Sequence, residues 1–290
     1  MPTQYADVYR IEAIVWTGET AEICRAVGPD AEIVALKRLR PDKLRERAAV
    51  RSIQREAKMA MGLDHPNVIE VLEYLPGPPF PTLVMEFFSS RNLKMRVLDR
   101  HGDALIAYRC LEILEQMAIA LQYVHNQGII HMDLKPENFL LSDDCQVKLT
   151  DFALATRVAK SWHRFLPKPR RIAGTRPYIA PETLRRCRPD VRTDIYSFGA
   201  TLFEILTRRP PFISGDRDEL LSMHLHQPPP WPWTFNKNLT REANDFILSM
   251  LEKDPNRRPQ TMSDILARLK RLRLFEVPPE PQQPPKDAPR

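Results

Sequence analysis

The sequence predicts an α+β fold in two lobes: a small, mainly antiparallel β lobe carrying one key helix, then a larger, mainly α-helical lobe. Three observations predict it. Short apolar runs broken by turn residues fill 9–37 and 68–88, while 47–61 spaces its apolar residues by three and four. Beyond residue 89 the helical spacing dominates to about residue 272.

In the first interval Ile11, Ala13 and Val15 alternate with other residues, and Ile33, Val34, Ala35 and Leu36 follow the turn Gly28-Pro29-Asp30. Strands are expected on both sides of that turn. Val50, Ile53, Ala57 and Ala60 mark a helix over 47–61 that stops before Gly62, and strand character returns at 68–74 and 82–88. After Ser89-Ser90-Arg91-Asn92, the stripe Leu111, Leu114, Met117, Ala118, Leu121 and Val124 places one long helix over 105–124. Further helices are expected over 194–207 with Asp194 as its cap, over 241–251, and over 262–272 behind Pro259. The stretch 275–290, dense in proline, glutamine and charge, reads as a disordered or polyproline-like tail that could lead to further domains. The expected units are therefore 1–88, 89–274 and 275–290.

A chain of 290 residues with 43% hydrophobic and 28% charged residues can bury a substantial core. No apolar run reaches the roughly 18 to 20 residues that cross a bilayer, and the start lacks a basic region followed by an apolar one, so a cytoplasmic location is expected. Cys24, Cys110, Cys145 and Cys187 lie far apart, without CxxC or zinc spacing, and read as free thiols. The net charge of +6 comes with no nucleic-acid motif, so a nucleotide rather than a nucleic acid is the expected anionic ligand.

The chemistry concentrates in His131-Met132-Asp133-Leu134-Lys135-Pro136-Glu137-Asn138 and, thirteen positions after the asparagine, Asp151-Phe152-Ala153. These supply two carboxylates, an ammonium and a carboxamide, the groups that orient a hydroxyl and hold a hard cation on phosphates. An isolated aspartate would be a turn former, and Lys37 on the apolar run Val34-Ala35-Leu36-Lys37 could simply reach out to water. Glu56 stands nineteen residues after Lys37, within the expected helix.

With these motifs in order, followed by Gly174-Thr175, Ala180-Pro181-Glu182, Asp194 and Arg258, the chain resembles the eukaryotic-type protein serine/threonine kinase family over about 9–272. Arg208-Arg209-Pro210-Pro211-Phe212 is similar to bacterial members. The resemblance implies a bilobal kinase fold, ATP with Mg2+ or alternatively Mn2+, and protein substrates. By the same resemblance Lys37, held by Glu56, touches the α and β phosphates, Asp133 orients the acceptor hydroxyl and takes its proton, and Lys135 steadies the γ phosphate. Asn138 and Asp151 are the implied metal ligands. Val15, Ile23, Ala35, Met85 and Leu140 would sandwich adenine, the backbone of Glu86 and Phe88 would hydrogen-bond it, and Gly18 would approach the phosphates. His131, Asp194, Glu182 and Arg258 are implied as scaffold.

Three departures stand out. Gly18 alone remains of the usual three glycines, with Trp16 and Ala21 in the same loop, Ala153 replaces the glycine after Asp151-Phe152, and Met132 stands where many relatives carry a phosphate-binding arginine. The alanine methyl penalises left-handed backbone by roughly 1 to 2 kcal/mol, so the segment is expected to keep Asp151 facing inward. A thioether binds no phosphate, so activity is expected without activation-loop phosphorylation, with Thr156 and Ser161 as minor sites. The alternative to a protein kinase is a pseudokinase that binds nucleotide weakly as an interaction module; a small-molecule phosphotransferase is the third reading.

Overall fold

The computed structural model describes residues 4–5, 8–77, 80–99, 104–158 and 174–279. Its first lobe is an antiparallel sheet of β1 (Gln4–Tyr5), β2 (Tyr9–Thr17), β3 (Ala21–Val27), β4 (Ile33–Leu39), β5 (Val71–Leu75) and β6 (Thr82–Glu86), in the order β1-β2-β3-β4-β6-β5. Alternation along these strands gives the sheet two faces. Cys24, Ala26, Val34, Leu36 and Val84 gather with Tyr9 on one. Ala35, Leu83 and Met85 lie on the other and join the main core with Ala49, Ile53 and Ala57 of helix α1 (Arg47–Ala60). The pairings Ile23 with Lys37 and Lys37 with Leu83 put Lys37 on that second face.

The second lobe follows as β7 (Arg91–Asn92), α2 (Leu93–Leu98), α3 (Ala104–Tyr108), α4 (Cys110–Asn126), β8 (Ile129–Ile130), β9 (Phe139–Leu141), β10 (Val147–Leu149) and β11 (Thr156–Arg157). It continues with α5 (Pro181–Leu184), α6 (Val191–Thr207), α7 (Arg217–His226), α8 (Arg241–Met250) and α9 (Met262–Leu269). Helix α6 is its axis, buried at every position from Thr193 to Thr207, as expected of a helix that is apolar around most of its circumference. Each fully buried leucine, isoleucine or phenylalanine there contributes about 1.5 to 3 kcal/mol of transfer free energy. Helices α4 and α9 pack against each other. Among the described residues no helix is long and apolar enough to cross a membrane.

The elements depart from the sequence expectation in several places. The single helix over 105–124 is two, α3 and α4, parted at Arg109 (φ −102°, ψ 20°), although the bonds Arg109 N to Leu105 O and Ile113 N to Arg109 O carry the helical path through the break. Helix α6 begins at Val191 and is capped by Asp190, not Asp194: Asp190 and Thr193 close a capping box, leaving Asp194 for another task. Helices α2 and α7 were not foreseen, and α7 buries only Leu220 and His224, too little to print an apolar stripe. Within the stretch expected as a tail, Phe275 bridges Leu239 and Val277 exchanges hydrogen bonds with Asn238. Residues 280–290, and the expected minor phosphorylation site Ser161, lie outside the described residues.

Candidate active site

Strand β4 and helix α1 bring their charges together. Lys37 Nζ donates to Glu56 Oε1 at 2.7 Å and to Asp151 Oδ1 at 3.0 Å, joining both lobes through one ammonium. At such separations opposite charges attract by about 6 kcal/mol at an effective dielectric near 20. Burial opposes the charge on Lys37, but Asp151 and Glu56 outweigh it and hold the ammonium above its ordinary range. Burial also resists ionisation of Asp151, and Lys37 overrides it, drawing that carboxyl down to about 2. Glu56 is pushed up to about 7, chiefly by burial and against the pull of Lys37.

The two carboxyls therefore have opposite pH signatures. Glu56 titrates above its ordinary 4.5, so its contribution to stability is present below that value and is lost as pH rises through about 7. Asp151 titrates below its ordinary 3.8, so its contribution is present above that value and is lost as pH falls through about 2. For nucleotide binding the ionised Glu56 is the useful form, since it fixes the amine. Affinity for metal-bound ATP is expected to weaken about tenfold from about pH 8 to about pH 6, following the ionised fraction. Calorimetric titration across that range checks this; the same slope in Glu56→Gln would refute it.

A second constellation surrounds Asp133 on the segment between β8 and β9. Its Oδ1 accepts from Thr175 N at 2.8 Å and Thr175 Oγ1 at 2.7 Å, and its Oδ2 accepts from Lys135 Nζ at 2.6 Å. Lys135 Nζ also donates to Thr175 Oγ1 at 3.0 Å. The approach of residue 174 is so close that a Cβ there would sit 3.2 Å from Met132 O, and its φ of 119° favours glycine as well. Asn138 Nδ2 donates to Asp133 O at 2.8 Å, which assigns any metal contact to its oxygen. Asn138 and Asp151 offer oxygen donors suited to a hard divalent cation. Among the described residues no group of three His, Cys, Asp or Glu side chains is arranged to hold a metal unaided, so phosphate oxygens and water would complete the shell.

The loop is held in a costly conformation from beneath. Met132 has φ 70° and Asp151 φ 68°, left-handed values that cost a residue with a side chain roughly 1 to 2 kcal/mol. Asp194, fully buried on α6, accepts from His131 N at 2.7 Å, Met132 N at 2.8 Å and His125 Nε2 at 2.8 Å. That is its task in place of capping. His131 meets the buried Phe152 ring edge-on, with centroids 5.0 Å apart. Ala153 is outside the left-handed region, and Asp151 faces Lys37.

Of the apolar positions, Ala35 pairs with Met85, both are buried, and Ile23 and Leu140 are partly buried against the same core, whereas Val15 is exposed. After β6 the chain is pinned by Glu86, whose Oε1 accepts from Lys148 Nζ at 2.7 Å and from Glu70 N at 2.9 Å. Lys148 also stands over the Phe88 ring, 5.6 Å from its centroid. Gly18 lies at the tip of the β2–β3 hairpin, where its N–H donates to Ala21 O at 2.9 Å.

Sequence reasoning missed two of these groups. Thr175 bonds both Asp133 and Lys135, and Lys148 clamps the segment after β6. Its signal was a charge within an apolar β10, which needs a buried partner.

Comparison with known proteins agrees with this geometry. The protein kinase domain family matches residues 9–268. The chain is 32% identical over 289 residues to the serine/threonine-protein kinase PknB of Mycolicibacterium smegmatis, an alignment covering 97% of this chain and 45% of the relative. PknB of Mycobacterium tuberculosis is 31% identical over 288 residues, covering 97% and 45%. A protein of Streptomyces coelicolor named probable serine/threonine-protein kinase SCO3848 is 32% identical over 271 residues, covering 91% and 40%. The chain thus spans less than half the length of these relatives.

Proposed function

From the premise that the chain belongs to the protein kinase family, we propose that it is a protein serine/threonine kinase that transfers the γ-phosphate of ATP to serine or threonine hydroxyls of protein substrates. The observation that carries the reading is Lys37 Nζ bonded at once to Glu56 and Asp151, beside an Asp133 that is held by Thr175 and Lys135. Each group then has a task. Lys37 neutralises phosphate charge, Asp133 aims the acceptor hydroxyl and receives its proton, and Lys135 balances charge on the moving phosphoryl group. Asn138 and Asp151 would hold Mg2+, which supplies charge neutralisation on the phosphate oxygens when bound; Mn2+ suits the same oxygen donors. Adenine fits between Ala35, Ile23, Met85, Val15 and Leu140, with backbone groups of Glu86 and Phe88 to read it. A cytoplasmic location goes with this reading, ATP being the phosphoryl donor.

Met132 in the loop and Ala153 after Asp151-Phe152 make this a kinase without the loop arginine and with an altered metal-binding motif. Since Met132 offers nothing to a phosphate, full activity is expected without loop phosphorylation. Phosphatase treatment of the purified chain should leave its initial rate unchanged, and a large loss would refute this. The test of the function itself is transfer of labelled phosphate from ATP and magnesium to a degenerate set of serine and threonine peptides, with Lys37→Ala as control. Nucleotide binding without transfer would leave the interaction-module reading in its place.

A further inference from the structure

In β2 the register shifts between Ile14 and Trp16, so that Val15 and Trp16 together oppose the single residue Ile23. A bulge of this kind re-aims a side chain. Directly paired residues share a face, and the row Trp16, Ile23, Lys37, Leu83 therefore puts the indole on the face that carries the Lys37 ammonium. From there the ring runs along its own strand toward the hairpin tip. A Cβ built on Gly18 would lie 2.0 Å from Trp16 Cη2 and 2.5 Å from Cζ3, so the indole rests directly on the glycine.

Gly18 is not in the left-handed region, so its missing side chain makes room for the indole and serves no turn conformation. The backbone under the ring is also committed. Gly18 N–H donates to Ala21 O at 2.9 Å, and Gly18 O accepts from Arg40 Nη1 at 3.1 Å. Phosphates drawn toward Lys37 thus meet, at this end of the cleft, an aromatic face of negative potential in place of N–H donors. The ring is about half exposed, at 48%, and has solvent to swing into.

We propose that Trp16 is a lid seated on Gly18 over the phosphate end of the cleft, a specificity-determining residue that must leave its seat before a triphosphate binds. This rests on the ATP-dependent function above. A seated lid weakens apparent affinity in proportion to the fraction of molecules that are open. Adenosine has no phosphates and does not reach it.

The full chain, as wild type and as Trp16→Ala, is titrated calorimetrically with MgATP and with adenosine. The dissociation constant for MgATP is expected to fall about fivefold in the variant while that for adenosine stays the same. Unchanged or weaker MgATP binding by the variant overturns the lid. Fluorine NMR of the wild type labelled with 5-fluorotryptophan protects the test against a misfolded variant, the Trp16 resonance being identified by its loss in Trp16→Phe. Saturating MgATP is expected to shift that resonance and adenosine to leave it in place; a resonance indifferent to MgATP overturns the lid alone. Wild-type protein that binds neither ligand overturns the ATP-dependent function, and the lid with it.

Discussion

Asp133→Asn is expected to lower the rate of phosphate transfer by about 10² to 10⁴, the range over which a positioned acid or base acts. The carboxamide keeps the shape but loses the charge that receives the hydroxyl proton. It also sets an N–H donor against donors, since Asp133 now accepts from Thr175 on one oxygen and from Lys135 on the other. Affinity for MgATP should change little, because Lys37, Asn138 and Asp151 remain. Initial rates on a serine peptide, with calorimetric titration of the nucleotide, separate the two effects. Equal labelling by wild type and variant would remove Asp133 from the mechanism.

The largest loss of stability is expected at Arg258. Its guanidinium is fully buried and bonds Glu182 Oε1 and Oε2, each at 2.8 Å, with further bonds to Arg192 O at 2.7 Å and Glu252 O at 2.7 Å. Arg258→Met leaves Glu182 buried without its counter-charge, a change that costs about 3 to 5 kcal/mol. For a chain of this size, about 2 to 4 °C per kcal/mol translates that into a fall of about 10 °C in the unfolding midpoint. Because the penalty comes from the stranded carboxylate, Glu182→Leu combined with Arg258→Met should recover part of it. Differential scanning calorimetry of the single and double variants decides, and a double variant no better than Arg258→Met would refute the argument.

What the sequence disclosed was the chemistry of short range. The order of Lys37, Glu56, Asp133, Asn138 and Asp151, the strand spacing of 9–37 and the helical stripe of 105–124 are local patterns, and local patterns survive into the fold. Contacts closed only in three dimensions left little trace. Lys148 is buried against Glu86 from 62 positions away, and Thr175 reaches Asp133 from 42, so neither pairing has a spacing to read. Helix α7 escaped notice because it offers its neighbours so few apolar groups. Position near a helix start offers Asp194 as a cap, while the resemblance makes it scaffold; the cap is filled by Asp190 and Thr193, and Asp194 holds the loop amides instead.

Trp16 marks the same limit from the other side. Its departure from glycine was plain in the chain, but which face of the sheet it occupies depends on a bulge that no alternation pattern announces.

One consequence follows from Asp194. A loop usually loosens well before the body of a protein does, yet here the amides of His131 and Met132 are fastened to a carboxylate that sits at the centre of the helical lobe. Warming cannot slacken that segment while α6 keeps its place. The Asp133 segment and the helical lobe are thus expected to melt together.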